Sequence, residues 1–471
     1  MRIDWRDPRI FALIIVSLIL VISLFAGQII SGYSYKIPLA LILGAMIFLT
    51  ILVNTDAGLA ILIFSMLLSP EIVAGQVPGR DIVIRFDDLL LAVIIFTWVA
   101  KTAINKGLAL FVKTPLNKAI GFYILICVIA TLRGAYLGYV GPAKGFFYIV
   151  RYIEYFLLYM LVANHIHSRK QIKFFITAFF ITCTIVCTYG ILQIPSGLRV
   201  SAPFEGEEGE PNTFGGYLLI ILCIAVGILL QNISRRLNIT LLGLCVLISF
   251  PFLFTLSRAS YFAIIFSFLT FIILSKRRVV LISGAAAIII IVALLRPEAV
   301  FSRVKYTFQQ KETHLKRIGN IYFDPSSSAR IRQWDYAFQE WKKDPFLGRG
   351  VTGYPFIDGQ YFQILPEVGL MGFLAFLWLL WAVFRNSLSI HNKMDDKLYK
   401  GLSLGFITAF VGLVFHALTA NTFIIVRIME PFWFIAGIIM MLPELKEEKE
   451  TGPVNSELTQ RGINSTEMFS S

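Results

Sequence analysis

Long apolar runs recur along almost the whole chain, at lengths near the roughly 20 residues that cross the ~30 Å core of a bilayer as a helix. Of the 471 residues, 57% are hydrophobic and only 15% are charged, and the mean hydropathy is +0.75. In lipid, a spanning helix satisfies its own backbone hydrogen bonds. The sequence therefore predicts an all-α polytopic membrane protein with about fourteen transmembrane helices, and it excludes a water-soluble globular protein.

The cysteines and the first apolar run fit this prediction. All five cysteines fall inside apolar runs, where a thiol behaves as a small hydrophobic group, so we expect neither a disulfide framework nor a zinc site. The first run, Phe11–Ile30, follows three arginines and could pass for a signal peptide. It lacks a convincing small-residue cleavage site, so we predict a retained first helix.

Loop charges predict the orientation, because basic residues are retained on the cytoplasmic side. Predicted inside are the N-terminus, Lys101–Lys118, His165–Lys173, Arg235 and Arg236, Lys276–Arg278, Arg385–Lys400 and the C-terminal tail. Predicted outside are residues 31–36, 71–85, 133–144, 193–212 and 296–361, and a turn near Asn421. The organisation is then helices 1–11 in residues 1–295, an outer loop in 296–361, helices 12–14 in 362–443, and a polar, disordered cytoplasmic tail in 444–471. Both termini are predicted to be cytoplasmic, with the protein in the cytoplasmic (inner) membrane.

The outer loop 296–361 is strongly basic, contrary to the usual charge bias. Its basic residues are Arg296, Arg303, Lys305, Lys311, Lys316, Arg317, Arg330, Arg332, Lys342, Lys343 and Arg349. Long loops cross membranes regardless of charge, so a merely solvated basic face is one interpretation. The other is an electrostatic trap for a polyanion at the outer surface.

A helix is predicted within this loop. Ser326–Ser328 follow Asp324 and Pro325 as a helix start, and an apolar stripe follows at helical spacing: Ile331, Trp334, Phe338 and Trp341. We expect this helix to lie along the membrane surface and to end before Pro345 and Gly348-Arg349-Gly350. Arg330 stands near its N-terminus, where fixed positive charge and free N–H groups favour phosphate.

Ionisable residues inside the apolar runs are costly in lipid and are candidates for function. All map to the outer halves of their predicted helices: Arg151, Glu154, Arg258, Glu367, His416, Arg427 and Glu430. Arg151/Glu154 and Arg427/Glu430 are three residues apart, so structural ion pairs are an equal alternative, and His416 could be a packing residue. Their shared depth predicts a polar cavity that opens outward only, whereas a transporter also needs an inner path.

Several short motifs appear in a fixed order. They are Arg199 followed by Pro211-Asn212, Ser257-Arg258-Ala259, Ser328-Ala-Arg330-Ile-Arg-Gln-Trp334, Asp344-Pro345-Phe-Leu-Gly348-Arg-Gly350, and Asp358-Gly-Gln-Tyr361 running to Glu367-Val-Gly369-Leu-Met-Gly372. Together they resemble the O-antigen ligase and O-antigen polymerase family. The resemblance covers residues 190–375 in detail and the whole chain in topology.

The resemblance implies a membrane glycosyltransferase of the polyprenol-dependent, metal-independent (GT-C-like) kind. Its donor would be an undecaprenyl-pyrophosphate-linked oligosaccharide, and its acceptor a glycan hydroxyl at the outer face. Membrane lipids, flippase and chain-length-regulator proteins are the further partners implied, with no cofactor and no nucleic acid. The family's ligases carry His-Asn where this chain has Asp358-Gly359, which favours a polymerase over a ligase to lipid A core.

Glycan transfer from a pyrophosphate requires stabilisation of the charge on the leaving pyrophosphate and an acceptor for the proton of the attacking hydroxyl. By the resemblance, Arg199 and Arg258 would grip the pyrophosphate, with Arg330 or Arg349 in support, since guanidinium groups stay protonated and bind phosphate as a fork. Asp358 is our first candidate for the acceptor's general base, ahead of His314 and Glu367, and attack opposite the leaving group would invert the anomeric centre. The substrate-binding set is Arg330, Arg349, Arg303, Glu367, His416 and Arg151, with no metal ligand.

Two other classes compete with this interpretation. A transporter, for example of bicarbonate, suits fourteen spans equally well, but the basic outer loop and the lack of broken helices in paired halves count against it. A structural scaffold for glycan export would not need arginines within the spans.

Overall fold

The computed structural model describes residues 50–51, 53–77, 80–104, 112–205, 209–295, 317–318, 321–322 and 325–450. Contacts divide the chain into two compact units, residues 1–65 with 86–110, and residues 66–85 with 111–471. The predicted first helix, the loop 31–36, Arg303, His314 and residues 451–471 of the tail lie outside the described residues.

The described ranges contain thirteen α-helices and two short β-hairpins. The first unit holds α1 (Thr55–Leu68) as far as Ser65, and α2 (Phe86–Ile104). The second unit begins with the end of α1 and an antiparallel hairpin, β1 (Glu71–Val77) with β2 (Arg80–Arg85). It continues with α3 (Asn117–Tyr136), α4 (Pro142–His165), α5 (Arg169–Gln193), α6 (Pro211–Leu229), α7 (Arg235–Phe254), α8 (Arg258–Leu274), α9 (Arg278–Leu295), β3 (Arg317–Ile318), β4 (Ile321–Tyr322), α10 (Pro325–Trp341), α11 (Gln360–Lys393), α12 (Lys397–His416) and α13 (Val426–Glu450).

Eight helices in the described residues are long and apolar enough to cross a membrane: α3, α4, α5, α6, α7, α11, α12 and α13. Two more, α1 and α8, are apolar but shorter. The chain is therefore a multi-pass membrane protein, as the apolar runs predicted, while the number fourteen stays a prediction. The last helix continues through Pro443 to Glu450, so residues 444–450, which we assigned to a disordered tail, are helical.

Close packing of α6 against α12 forms the centre of the second unit. A Cβ added at Gly227 would lie 2.4 Å from the carbonyl oxygen of Gly401, and one at Gly405 would lie 2.6 Å from that of Cys223. Gly401 and Gly405 are four residues apart, the spacing that lets two membrane helices approach backbone to backbone. The contact is thus permitted because α12 carries no side chain at Gly401 and Gly405 and α6 carries none at Gly227.

The helix ends of the second unit sort into two groups. At one group of ends, Arg169 of α5 pairs with Asp396 before α12 at 2.7 Å, and Ser168 and Gln171 form a capping box. At the other group, the segment after α5 contacts the end of α7, where Arg199 Nε donates to Thr255 O. The end of α12 also contacts the start of α11 there, where the Gln360 N–H donates to Ala417 O. We call this second group the site end, because the candidate residues lie there.

Candidate functional site

Helix α11 is broken near its start. Gly369 has φ +66° and ψ −169°, and Pro366 lies three residues before it. A Cβ at Gly369 would stand 2.3 Å from the carbonyl oxygen of Phe346, so only glycine fits. In the sequence, Pro366 and Glu367 interrupt the apolar run just before this break. The span predicted after residue 361 is present as α11, with the break inside it.

The segment 344–353, which we call the docking loop, fills the break. Backbone groups freed by the break bond to the docking loop in both directions: Arg349 N to Pro366 O (3.0 Å), Gly350 N to Glu367 O (2.7 Å), Leu370 N to Pro345 O (2.8 Å) and Met371 N to Phe346 O (3.1 Å). Irregular backbone at membrane depth is tolerated only where protein or water satisfies it. The docking loop therefore replaces the missing turn of α11.

Helix α3 holds the docking loop from the other side. The Arg133 guanidinium donates to Gly348 O and to Asp344 Oδ1, both at 2.7 Å. A Cβ at Gly134 would lie 2.0 Å from Arg349 O, so the loop backbone rests directly on the helix. Sequence reasoning missed Arg133, which we treated only as the first residue of a loop; its sole signal was a charge at the end of an apolar run.

The helix predicted within the outer loop is present as α10, Pro325–Trp341. Trp334 stacks on Phe362 of α11 with ring centroids 4.4 Å apart, and Trp341 Nε1 donates to Pro345 O at 2.9 Å. Phe338, also in the predicted apolar stripe, is instead exposed and lies under the Lys342 ammonium. Trp334 and Trp341 of the stripe therefore pack against α11 and the docking loop, whereas Phe338 does not.

Asp358 and Arg330 form the polar centre of this contact. Arg330 Nε and Asp358 Oδ2 are 2.7 Å apart, and Trp334 Nε1 donates to the Asp358 carbonyl oxygen at 2.6 Å. The next residue, Gly359, has φ +109°, a conformation that turns the chain sharply into α11. The Asp358 side chain keeps 40% of its surface exposed, so the oriented carboxylate remains accessible to an incoming molecule.

Arg199 and Arg258 approach the same region from α5 and α8. Arg199 Nε donates to Thr255 O at 3.1 Å and its Nη2 lies 3.5 Å from Leu256 O, which places it beside the turn that precedes Arg258. Leu256 adopts φ +49°, a strained conformation of the kind found at functional sites. Arg258 Nη1 donates to Ser327 Oγ at 3.1 Å, which ties it to the first turn of α10.

Below Arg258, a buried chain of hydrogen bonds joins four elements of the site end. Ser257 Oγ donates to Asn212 Oδ1 (2.7 Å), Ser260 Oγ donates to Ser257 Oγ (2.9 Å), and Ser260 Oγ lies 3.3 Å from His416 Nε2. His416 Nδ1 in turn lies 2.8 Å from Thr422 Oγ1. His416 is fully buried in this network of hydrogen bonds, and its role in substrate binding stays a prediction.

The remaining candidates have partners of their own. Arg349 pairs with Glu340 and lies over the Tyr139 ring, 5.5 Å from its centroid. Glu340 also accepts from Lys343, and that hydrogen bond lowers its pKa. Arg349 therefore joins the docking loop to α10, and its supporting role at a pyrophosphate stays a prediction.

Glu367 and Arg151 lie deeper in the bundle. The Thr352 N–H donates to Glu367 Oε1 at 3.0 Å, so this carboxylate also binds the docking loop. Arg151 and Glu154 are paired at 3.9 Å, which confirms the ion pair expected from their spacing. The pairing of Arg427 with Glu430 stays a prediction.

Arg427 is buried and donates to four backbone carbonyl oxygens from two chain segments, those of Leu67, Ser69, Pro203 and Phe204. A guanidinium has five N–H donors in a fixed fork, so it can satisfy several carbonyl groups at once. Its contacts support a structural role at the site end.

These features define a multi-pass membrane protein with an arginine-rich polar site, assembled where a broken helix meets an amphipathic helix. Residues 243–377 match the family model described as O-Antigen ligase, which confirms the resemblance to the O-antigen ligase and polymerase family. The matched segment runs from α7 into α11 and contains Arg258, Arg330, Asp358 and Glu367. No curated protein matches the chain.

Proposed function

We propose that this protein is a surface-polysaccharide polymerase that transfers glycan from undecaprenyl pyrophosphate to an acceptor sugar hydroxyl at the outer face of the cytoplasmic membrane. The family match supports a glycosyltransferase-like membrane enzyme. The arrangement of Arg199, Arg258 and the Arg330–Asp358 pair is our basis for proposing the donor and the reaction.

The observation that supports this proposal most is the convergence of two arginines on one strained turn. Arg199 contacts Thr255 and Leu256, and Arg258 follows two residues later and reaches α10. Guanidinium groups bind phosphate oxygens in a fork and remain protonated, so two of them can stabilise a leaving pyrophosphate without a divalent metal. Their described hydrogen bonds include carbonyl and hydroxyl oxygens as acceptors, and a pyrophosphate would offer the same guanidinium groups acceptors of higher negative charge.

Asp358 would then accept the proton of the acceptor hydroxyl. As the acceptor oxygen bonds to the anomeric carbon, the bond from that carbon to the pyrophosphate oxygen breaks, and its electron pair leaves with the pyrophosphate. Attack from the opposite side inverts the anomeric centre. Arg330 holds Asp358 Oδ2 and so fixes the direction of the carboxylate, and the exposed part of the Asp358 side chain is available to the acceptor.

The aspartate at position 358 favours a polymerase over a ligase. The family's ligases were expected to carry His-Asn where this chain has Asp358-Gly359. A ligase to lipid A core is therefore the alternative within the same reaction class. Lipid-linked glycans and membrane lipids are the substrates and surroundings that the family match supports, and flippase and chain-length-regulator proteins are proposed partners.

The break in α11 is the one observation that favours a transporter, because carriers bind substrates at discontinuous helices. In a carrier the freed backbone groups face the transported ion or substrate. Here the N–H and C=O groups around Gly369 bond instead to the docking loop. The break therefore positions the docking loop, and the glycosyltransferase remains the better-supported function.

The experiment is a deletion of the gene in its host, complemented with wild type, Arg199→Ala, Arg258→Ala and Asp358→Ala. The matched control is Arg236→Ala, an exposed arginine in the first turn of α7, at the opposite end of that helix from Thr255. Lipid-linked and released surface glycans are then separated on gels. We expect loss of long chains and build-up of single lipid-linked repeats in the deletion strain and in the three site variants, with Arg236→Ala like wild type.

Two other results would change the conclusion. Full-length lipid-linked polymer that never reaches its final acceptor would indicate the ligase. An unchanged glycan profile in the deletion strain would overturn the glycosyltransferase proposal and favour transport.

A further inference from the structure

A cavity of about 200 Å³ lies within the second unit at the site end, between α4, the docking loop with the residues that follow it, and the start of α11. Its lining is mainly aromatic and polar: Tyr139, Tyr148, Tyr152, Thr352, Tyr354, Phe356, Gln363 and Glu367 are among its residues. Tyr152 is ten residues into α4 and Glu367 seven residues into α11, so at 1.5 Å per residue the cavity reaches about 10–15 Å below the helix starts.

The lining has the chemistry that recognises a sugar ring. A pyranose presents C–H faces, which pack on aromatic rings, and a rim of hydroxyl groups, which need donors and acceptors. Tyrosine supplies both an apolar ring and a polar tip, and glutamine and glutamate add amide and carboxylate groups. The volume is below the roughly 300–1,000 Å³ of a typical small-molecule site, which suits one small terminal unit.

The cavity lies next to Asp358 along the chain. Gln363 Oε1 accepts from the Ile357 N–H at 2.9 Å, and Ile357 immediately precedes Asp358. Phe356, two residues before Asp358, lines the cavity. A group seated there would thus lie beside the backbone that carries the proposed general base.

The cavity suits an acceptor better than a donor. Among the described residues that line it there is no arginine or lysine, and a pyrophosphate needs such groups. Arg349 lies over the Tyr139 ring but is already paired with Glu340. The arginines proposed for the donor, Arg199 and Arg258, approach from α5 and α8.

We propose that this tyrosine-lined cavity binds the terminal sugar of the acceptor glycan and delivers its hydroxyl to Asp358. The inference rests on the proposed function and deepens it by assigning donor and acceptor to separate groups of residues. Tyr148 and Tyr152 are acceptor-binding residues in this account, and Glu367 and Thr352 keep the cavity open by bonding the docking loop to α11.

The test uses the purified full-length protein and a defined probe, the repeat-unit oligosaccharide released from the host's own surface polysaccharide and free of pyrophosphate. Binding is measured by saturation-transfer NMR for wild type, Tyr148→Phe and Tyr152→Phe. The control is Tyr159→Phe, which removes another buried tyrosine hydroxyl of α4; that hydroxyl donates to Thr114 at 2.6 Å outside the cavity. Thermal stability is measured in parallel, and glycan chain length is measured in cells.

We expect the oligosaccharide to bind wild type and Tyr159→Phe alike, and the two cavity variants to bind roughly five- to tenfold more weakly, the effect of losing one hydrogen bond. Chain length in cells should fall for the same two variants while their thermal stability matches that of Tyr159→Phe. Equal binding by all four proteins, or no binding by wild type, would overturn the acceptor assignment. If Arg258→Ala still abolishes long chains in that case, the proposed function stands; if it does not, the proposed function fails as well.

Discussion

The contact between Gly134 and the docking loop allows a sharp test of how the site is held. In Gly134→Ala the new Cβ would lie 2.0 Å from Arg349 O, whereas a carbon–oxygen contact needs about 3.3 Å. The docking loop must therefore move by roughly 1.3 Å. The Arg349–Pro366 and Gly350–Glu367 hydrogen bonds, now 3.0 and 2.7 Å, would then lie beyond hydrogen-bonding distance.

The expected cost follows from those two bonds. Each of the two buried hydrogen bonds lost costs about 1–3 kcal/mol, and the change from glycine to alanine in a helix offsets about 1 kcal/mol of this. We expect a net destabilisation of about 1–5 kcal/mol. A displacement near 1 Å at a catalytic site can lower the rate about 100-fold, so long-chain glycan should fall far more than the amount of protein.

The matched control is Gly121→Ala in the same helix, where a new Cβ would meet no atom within 4 Å. It should be neutral or slightly stabilising, because it gains helix propensity without a clash. Thermal unfolding of the purified proteins measures stability, and the glycan profile of complemented cells measures activity. If Gly134→Ala and Gly121→Ala behave alike in both assays, the docking loop does not rest on α3 as described.

Three further predictions concern other parts of the second unit. Burial raises the pKa of Glu205 to about 8. Between about pH 4.5 and 8 the folded protein therefore binds one more proton than the unfolded chain, so its free energy of unfolding should fall as pH rises. In Glu205→Gln, the free energy of unfolding measured across that range should lack this slope. Gly405→Leu should prevent α6 and α12 from packing and abolish monodisperse protein in size-exclusion chromatography, whereas Gly243→Leu, with open space around its Cβ, should not. Arg330→Ala should lower polymer formation about as much as Asp358→Asn, and the double variant should lose little more, since the two act as a unit; additive losses in a transfer assay would show independent roles.

Helix α10 and the ion pair of α4 could be predicted from sequence because both depend on local spacing. Asp324-Pro325 and the Trp334–Trp341 repeat predict α10 within a residue of its start, and Arg151 and Glu154 are three apart on one helix. Pro366 and Glu367 interrupt the apolar run of α11 in the sequence. The conformation of Gly369 could not be predicted, because it depends on contacts with the docking loop. The same holds for Arg133, whose partners Asp344 and Gly348 are more than 200 residues away.

For the candidate site, too, the sequence indicates which residues share a region but not which of them pair. The order of the motifs predicted that Arg199, Arg258, Arg330 and Asp358 belong to one region, and the contacts through Thr255, Leu256 and Ser327 support that grouping. The sequence could not predict which residues pair within the group, because Arg330 and Arg349 belong to the same predicted loop and nothing local distinguishes their partners. Arg330 meets Asp358, while Arg349 meets Glu340.

The broken helix also constrains how the protein is made. The polar backbone around Gly369 has its partners on Pro345, Phe346, Arg349 and Gly350, which leave the ribosome before α11 does. If α11 moved into lipid first, those groups would be exposed to hydrocarbon at a cost of several kcal/mol each. Insertion of α11 and seating of the docking loop are therefore energetically coupled, so we expect the docking loop to be in place before α11 is fully inserted.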